Sequence, residues 1–190
     1  MAPDVWLAFA RCARDTSRIA PEHRWAADRE AADGAVATVL ETSGLARAAC
    51  VLSRSHSRGL AAAVAAPAGV AVGVDLIGLS RVGRRHADAI LTGEEWGALA
   101  PWAAVRPALA WAIKEAAAKA SGDPGRFFPE GLRIKAAGAW VGVEVLGSGS
   151  PTFTTGWGLL DGFLYAWVRG GGGLVEGPSR AARSAGRRCR

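Results

Sequence analysis

At 190 residues and 19.6 kDa the chain is long enough for one large domain or two small ones sharing a core, with no need of disulfide staples. Half of its residues are hydrophobic and 21% are charged, an ordinary balance for a folded domain, although Ala and Gly swell the apolar share; wholesale disorder is excluded. The net charge of +6 would suit a nucleic-acid binder, but five arginines after Gly170 against Glu176 account for +4, leaving +2 for residues 1–170. No nucleic-acid partner is therefore expected.

The longest charge-free apolar stretch, Gly59 to Val74, is broken by Pro67 and Gly69 and is too short for a bilayer, so no membrane partner is expected. The apolar run Val5–Ala10 follows Asp4 and stops at Arg11, which does not fit a secretory signal and places the protein in the cytoplasm. Cys12, Cys50 and Cys189 form no even set and no C-x-x-C pair, so they read as reduced thiols.

Along the chain, Val5, Leu7 and Phe9 alternate and predict a strand. Pro21 and Glu22 open one helix over Arg24–Glu41 that Ser43 and Gly44 close, either continuous or broken at Gly34. Three short strands follow, Ala48–Ser53, Leu60–Ala65 and Val70–Ile77, separated by Ser55-His56-Ser57 and by Pro67-Ala68-Gly69; a small meander is the economical arrangement. Residues Ser80–Ala100 read as helical with a break at Thr92-Gly93, and a stronger helix covers Ala103–Ala120 before Gly122 and Pro124. Four strands complete the body, Leu132–Lys135, Trp140–Val145, Phe153–Leu160 and Phe163–Val168, with turns at Gly138 and Asp161-Gly162. Gly170–Gly173 then introduce a tail with almost nothing apolar after Val175, for which disorder is expected.

This order is an α+β pattern played twice. It predicts two similar halves, residues 1–69 and 70–169, each a small antiparallel sheet on a long helix, the first half shortened and the tail occupying 170–190. A site at the seam is expected, because clefts between packed modules hold small ligands.

Three segments near that seam carry groups a core does not welcome. Ser55-His56-Ser57, flanked by Arg54 and Arg58, offers hydroxyls, an imidazole and guanidinium groups to a phosphate, or is simply a polar turn. Asp75 interrupts the apolar run Gly73-Val74-Asp75-Leu76-Ile77; it needs a partner or a cation, unless the strand ends there and it caps a turn. On the strong helix, Trp111, Glu115 and Lys119 recur every four residues and share one face. The bland account is a surface pair of about 0.3–0.5 kcal/mol. The other account takes Asp75 and Glu115 together as two oxygen ligands for Mg²⁺, which draws its remaining ligands from water and a substrate's phosphates.

Taken in order, Ser55-His56-Ser57, Gly73-Val74-Asp75 and Trp111-Ala112-Ile113-Lys114-Glu115-Ala116-Ala117-Ala118-Lys119 resemble the motifs of the 4'-phosphopantetheinyl transferases. The stretch Gly73–Arg81 with Leu91-Thr92-Gly93-Glu94-Glu95 looks like the short holo-acyl-carrier-protein synthase branch, whereas Ser-His-Ser and the overall length look like the longer, Sfp-type branch with two fused halves.

The resemblance implies Mg²⁺-dependent transfer of the phosphopantetheine arm of coenzyme A to a serine of an acyl or peptidyl carrier protein, releasing adenosine 3',5'-bisphosphate. It implies Asp75 and Glu115 as metal ligands, Glu115 as proton acceptor, and Lys119 on the pyrophosphate. Ser55 and His56 would hold the 3'-phosphate, with Lys114 and a first-helix arginine, Arg24 or Arg29, also contacting coenzyme A. Arg81, Arg84 and Arg85 fall where a basic patch would meet an acidic carrier protein, or are a solvated helix face.

Two departures stand out. Ile77 occupies the position where many long-branch members carry another acid, and the Gly-Lys-Pro segment before Ser-His-Ser is absent. They motivate the alternative of a degenerate relative that binds carrier protein or coenzyme A without transfer. Fused halves favour a monomer.

Overall fold

A computed structural model describes residues 5–12, 21–122, 131–137, 140–146 and 152–170. Its elements run β1 (Trp6–Arg11), α1 (Pro21–Ser43), β2 (Cys50–Ser57), β3 (Leu60–Pro67), β4 (Val72–Gly78), α2 (Arg84–Ile90), α3 (Gly93–Ala98), α4 (Arg106–Ser121), β5 (Leu132–Ala137), β6 (Trp140–Val145), β7 (Thr152–Leu160) and β8 (Phe163–Gly170). The strands form two antiparallel sheets, a three-stranded one ordered β1-β3-β2 and a five-stranded one ordered β4-β8-β7-β6-β5, and the fold is α+β as expected.

The apolar run of β3 explains its place. Covered on both faces, it is the middle strand of its sheet: Ala61, Ala63 and Ala65 meet α1, while Leu60, Ala62, Val64 and Ala66 face the other way. The α1 side of the contact is equally small, with Ala27, Ala31, Ala32 and Ala35 buried beside Val36 and Val39. Alanine faces bury little area each but let helix and sheet approach closely. The opposite faces of both sheets meet in a shared layer, where Val72, Val74 and Leu76 of β4 join the outward residues of β3. Phe9 of β1 packs edge-on against Tyr165 of β8 at 4.8 Å between ring centres. The third core lies between α4 and the five-stranded sheet, around Leu109, Ile113, Leu132, Phe153 and Leu164.

Helix α1 runs unbroken through Gly34, the single helix read from the sequence, because its buried face continues into Ala35. Two expectations need correction. Ser55-His56-Ser57 is not a connector: it completes β2, paired Ser55↔Ala62, His56↔Ala61 and Ser57↔Leu60, and the turn falls one step later at Arg58-Gly59, both at positive φ. Strands β2, β3 and β4 do not form a meander, since β4 leaves β3 to pair with β8, and β1 takes the free edge of β3. The turns at Asp161-Gly162 and Gly122 are where the sequence places them. Gly138, the tail 171–190 and Cys189 lie outside the described residues; Cys12 and Cys50 are free thiols.

Candidate active site at the seam of two strands

Strand β4 is an edge strand of the five-stranded sheet, and its open edge faces β2 of the other sheet. No backbone ladder joins them. Side chains of β2 supply the bonds instead: Val74 N–H donates to Ser53 Oγ at 3.2 Å, and Ser55 Oγ donates to Asp75 Oδ1 at 2.8 Å. Ser53 and Ser55 are two apart on β2, so the pleat turns both toward β4.

Helix α4 closes the other side. It settles on β4 at Gly73, where a β-carbon would overlap the carbonyl oxygen of Ala116. That contact brings Lys119, one turn on, over the strand: its Nζ donates to Val74 O at 3.1 Å and pairs with Asp75 Oδ1 at 2.8 Å. Asp75 is nearly buried, and one of its oxygens therefore serves both Ser55 and Lys119. Among the described residues none donates a hydrogen bond to Oδ2.

Glu115 sits on the same face of α4, half-buried. Its pKa is raised, first by burial and then by the negative charge of Asp75, with Lys119 pulling the other way. The two carboxylates thus share one field beside one ammonium, and two acids face a neutralising demand that Lys119 meets only in part. Hard oxygen donors, one buried and one half-buried, fit a divalent cation of the Mg²⁺ type, with a substrate's phosphates and water completing the shell. Among the described residues no third His, Cys, Asp or Glu joins them in a cluster, and Ile77 is partly buried, packed against the α4 core.

The neighbouring Lys114 points elsewhere, about 100° around the helix. It is fully buried, donating to Ile90 O at 2.6 Å and paired with Glu95 at 2.8 Å. Glu95 is also fully buried, accepting from Ile134 N–H at 2.8 Å and from Thr92 N–H at 2.7 Å in a capping box at the start of α3. The expectation that Lys114 contacts the coenzyme does not match this position: its ammonium is walled off among α2, α3 and β5, where it anchors α4. The signal for this pair was present in Thr92-Gly93-Glu94-Glu95, which spells a capping box. A carboxylate spent on a cap and an ammonium at the same time cannot be foreseen from spacing.

The Ser-His-Ser segment divides its side chains between two faces. Ser55 and Ser57 turn inward and are buried; Ser57 Oγ finds no hydrogen-bond partner among the described residues. His56 turns outward to an open recess lined with Trp25, Arg29, Ala32 and Arg54. There His56 Nδ1 lies 3.6 Å from Asp28, Arg54 pairs with Asp33 at 2.6 Å, and the Arg29 guanidinium stands 5.4 Å from the centre of the Trp25 ring. Of the two candidate arginines of α1, Arg29 lines this recess; Arg24 is exposed on the same helix and is not among the lining residues. Asp28 and Asp33 were not singled out from sequence.

Arg81, in a 3-10 turn after β4, and Arg84 and Arg85, at the start of α2, are all exposed. Arg84 pairs with Asp88 at 3.8 Å, and both Arg84 and Arg106 stand over Trp96. Trp111 is partly buried against the α4 core and meets His86 edge-on.

Residues 71–141 match the family model of the 4'-phosphopantetheinyl transferase superfamily. The resemblance read from the motifs is borne out over this segment, a little over a third of the chain, which holds β4, α2, α3, α4 and the start of the second half of the large sheet. The segment carries Asp75, Glu115 and Lys119 but not Ser55 or His56. The family is one of phosphopantetheinyl transferases, which use coenzyme A and act on carrier proteins. No curated protein matches the chain. Among the described residues no helix is long and apolar enough to cross a membrane.

Proposed function

We propose that this protein transfers the 4'-phosphopantetheine arm of coenzyme A to a serine of an acyl or peptidyl carrier protein, with Mg²⁺ and release of adenosine 3',5'-bisphosphate, in the cytoplasm. The observation that carries the reading is the meeting of Asp75, Glu115 and Lys119 between β4 and α4, inside the segment that matches the family. The recess at His56 and Arg29 is the place we assign to the nucleotide, since Arg29, Arg54 and His56 line it, the last two beside Asp33 and Asp28. Residues 1–69 and 70–169 act in this reading as two halves with the site between them.

Asp75 and Glu115 would hold the cation, which when bound neutralises the pyrophosphate and charge growing on the leaving oxygen. The serine hydroxyl of the carrier attacks the phosphorus attached to the pantetheine arm; a new O–P bond forms as the bond to the bridging oxygen breaks, and that oxygen leaves on adenosine 3',5'-bisphosphate. Glu115 takes the serine's proton. Burial suits it to the task, because a carboxylate with a raised pKa is the stronger base. Lys119, released from Asp75 toward the phosphates, stabilises the departing charge. Arg81, Arg84 and Arg85 offer an exposed basic surface to the acidic helix of a carrier.

The test is to incubate the protein with apo carrier protein, coenzyme A and Mg²⁺ and to weigh the carrier. A covalent gain of the phosphopantetheine mass is expected. No gain with fatty-acid, polyketide and peptide-synthesis carriers alike would leave the degenerate, binding-only relative, for which Ile77 in place of an acid is the motive.

A further inference from the structure

We infer that Ser55 is a positioning residue for the metal-binding carboxylate, and not a ligand of the coenzyme's phosphate, with Ser53 as its structural companion; this rests on the proposed transferase reading. A serine has one O–H to donate. That of Ser55 goes to Asp75 Oδ1 at 2.8 Å inside a buried contact, so it is spent on the protein's own carboxylate.

The bonds around Asp75 form a closed set that arrives from two elements outside its own sheet. From β2, Ser53 Oγ takes the Val74 N–H and Ser55 holds the carboxylate. From α4, Lys119 takes the Val74 carbonyl and the same carboxylate oxygen. Both polar groups of the Val74 peptide unit at the open edge of β4 are thus satisfied by side chains, where an interior strand would have a neighbour's backbone. Two donors on Oδ1 restrain the carboxylate and leave Oδ2 without a donor among the described residues. During turnover Lys119 is drawn to the phosphates, and Ser55 is then the remaining donor that keeps Asp75 oriented. Partners of this kind behind a metal ligand govern metal affinity, typically by 10–100-fold.

The experiment compares Ser55→Ala and Ser55→Thr in the full-length protein. Mn²⁺ binding is read by the loss of the free-ion electron paramagnetic resonance signal at saturating coenzyme A, and binding of adenosine 3',5'-bisphosphate is read by calorimetry in EDTA. Expected is about a tenfold weaker Mn²⁺ affinity for Ser55→Ala, restoration by Ser55→Thr, and bisphosphate affinity within about twofold of the parent for both. An unchanged Mn²⁺ affinity, or a loss confined to the bisphosphate, overturns the inference, the second result returning Ser55 to the coenzyme. A parent protein that binds neither Mn²⁺ nor bisphosphate overturns the transferase reading itself. Far-ultraviolet circular dichroism of each variant excludes misfolding as the cause, and Ser53→Ala, which loosens β4 without touching the carboxylate, should weaken Mn²⁺ less than Ser55→Ala.

Discussion

Gly73 of β4 and Ala116 of α4 lie in such close contact that a β-carbon on the glycine would overlap the alanine's carbonyl oxygen. Everything in the candidate site depends on this approach, because Asp75 is two residues along the strand and Glu115 and Lys119 flank Ala116 on the helix. A backbone-to-backbone contact has no flexible side chain to give way. Gly73→Ala should therefore separate α4 from β4 and cost at least the roughly 1–3 kcal/mol typical of overpacking. Urea unfolding followed by tryptophan fluorescence measures the loss, and transferase activity should fall further than the lost stability explains. A variant of parental stability and activity would refute the contact.

Glu115 links stability to function with opposite signs. Burial and the charge of Asp75 raise its pKa in the folded chain above its ordinary carboxylate value. The protonated form is favoured by folding, so this contribution to stability is complete below the unfolded-state pKa and is lost as pH rises through the higher folded-state value. Without metal, Glu115→Gln should then unfold at a higher temperature than the parent, with the advantage larger at pH 8 than at pH 5. Activity should drop by about 10²–10⁴-fold if Glu115 is the proton acceptor proposed above. Thermal melts in EDTA at the two pH values check the first part and carrier mass gain checks the second; equal melts at both pH values would contradict the electrostatic account.

How much of this was written in the sequence differs from residue to residue. The period-two pattern and the turn pairs placed β7 and β8, and Gly122 stopped α4, because these depend on neighbours a few residues apart. Asp75 announced itself as a charge inside an apolar strand, and the four-residue spacing of Glu115 and Lys119 put them on one face. What the residues could not reveal is which strand meets which. The partnership of Ser55 with Asp75 spans 20 positions and that of Lys119 with Asp75 spans 44, across a seam that exists only after both sheets form. Lys114 is the same case. Adjacent to Glu115 in the chain and in the motif, it points about 100° further around α4, and its partner Glu95 comes from another helix.

That buried pair makes its own prediction. Lys114→Met leaves Glu95 charged, fully buried and short of its counter-ion, a change that typically costs about 3–5 kcal/mol. Adding Glu95→Gln removes the stranded charge while one amide oxygen still accepts from Thr92 or Ile134, so the double variant should recover a good part of the loss. Urea midpoints of the parent, both single variants and the double variant close the cycle. A single Lys114→Met variant as stable as the parent, with weakened coenzyme A binding, would instead return this lysine to the coenzyme.

The exposed arginines test the docking side of the reading. Arg81, Arg84 and Arg85 project from the turn and first residues of α2, and the pairing of Arg84 with Asp88 is solvent-exposed and long, so little of their charge is neutralised internally. Replacing all three by alanine removes three positive charges and no buried side chain, although Arg84 also stands over the ring of Trp96, which packs against a core. At low ionic strength KM for an acidic carrier should rise by about tenfold with kcat held, because rim charges act mainly on encounter. At several hundred millimolar salt the parent and the variant should converge, since screening shortens the reach of the charges to a few ångströms. Initial rates over a series of carrier and salt concentrations decide the matter: a salt-independent difference, or a fall in kcat alone, would mean that the arginines support α2 and do not meet the carrier.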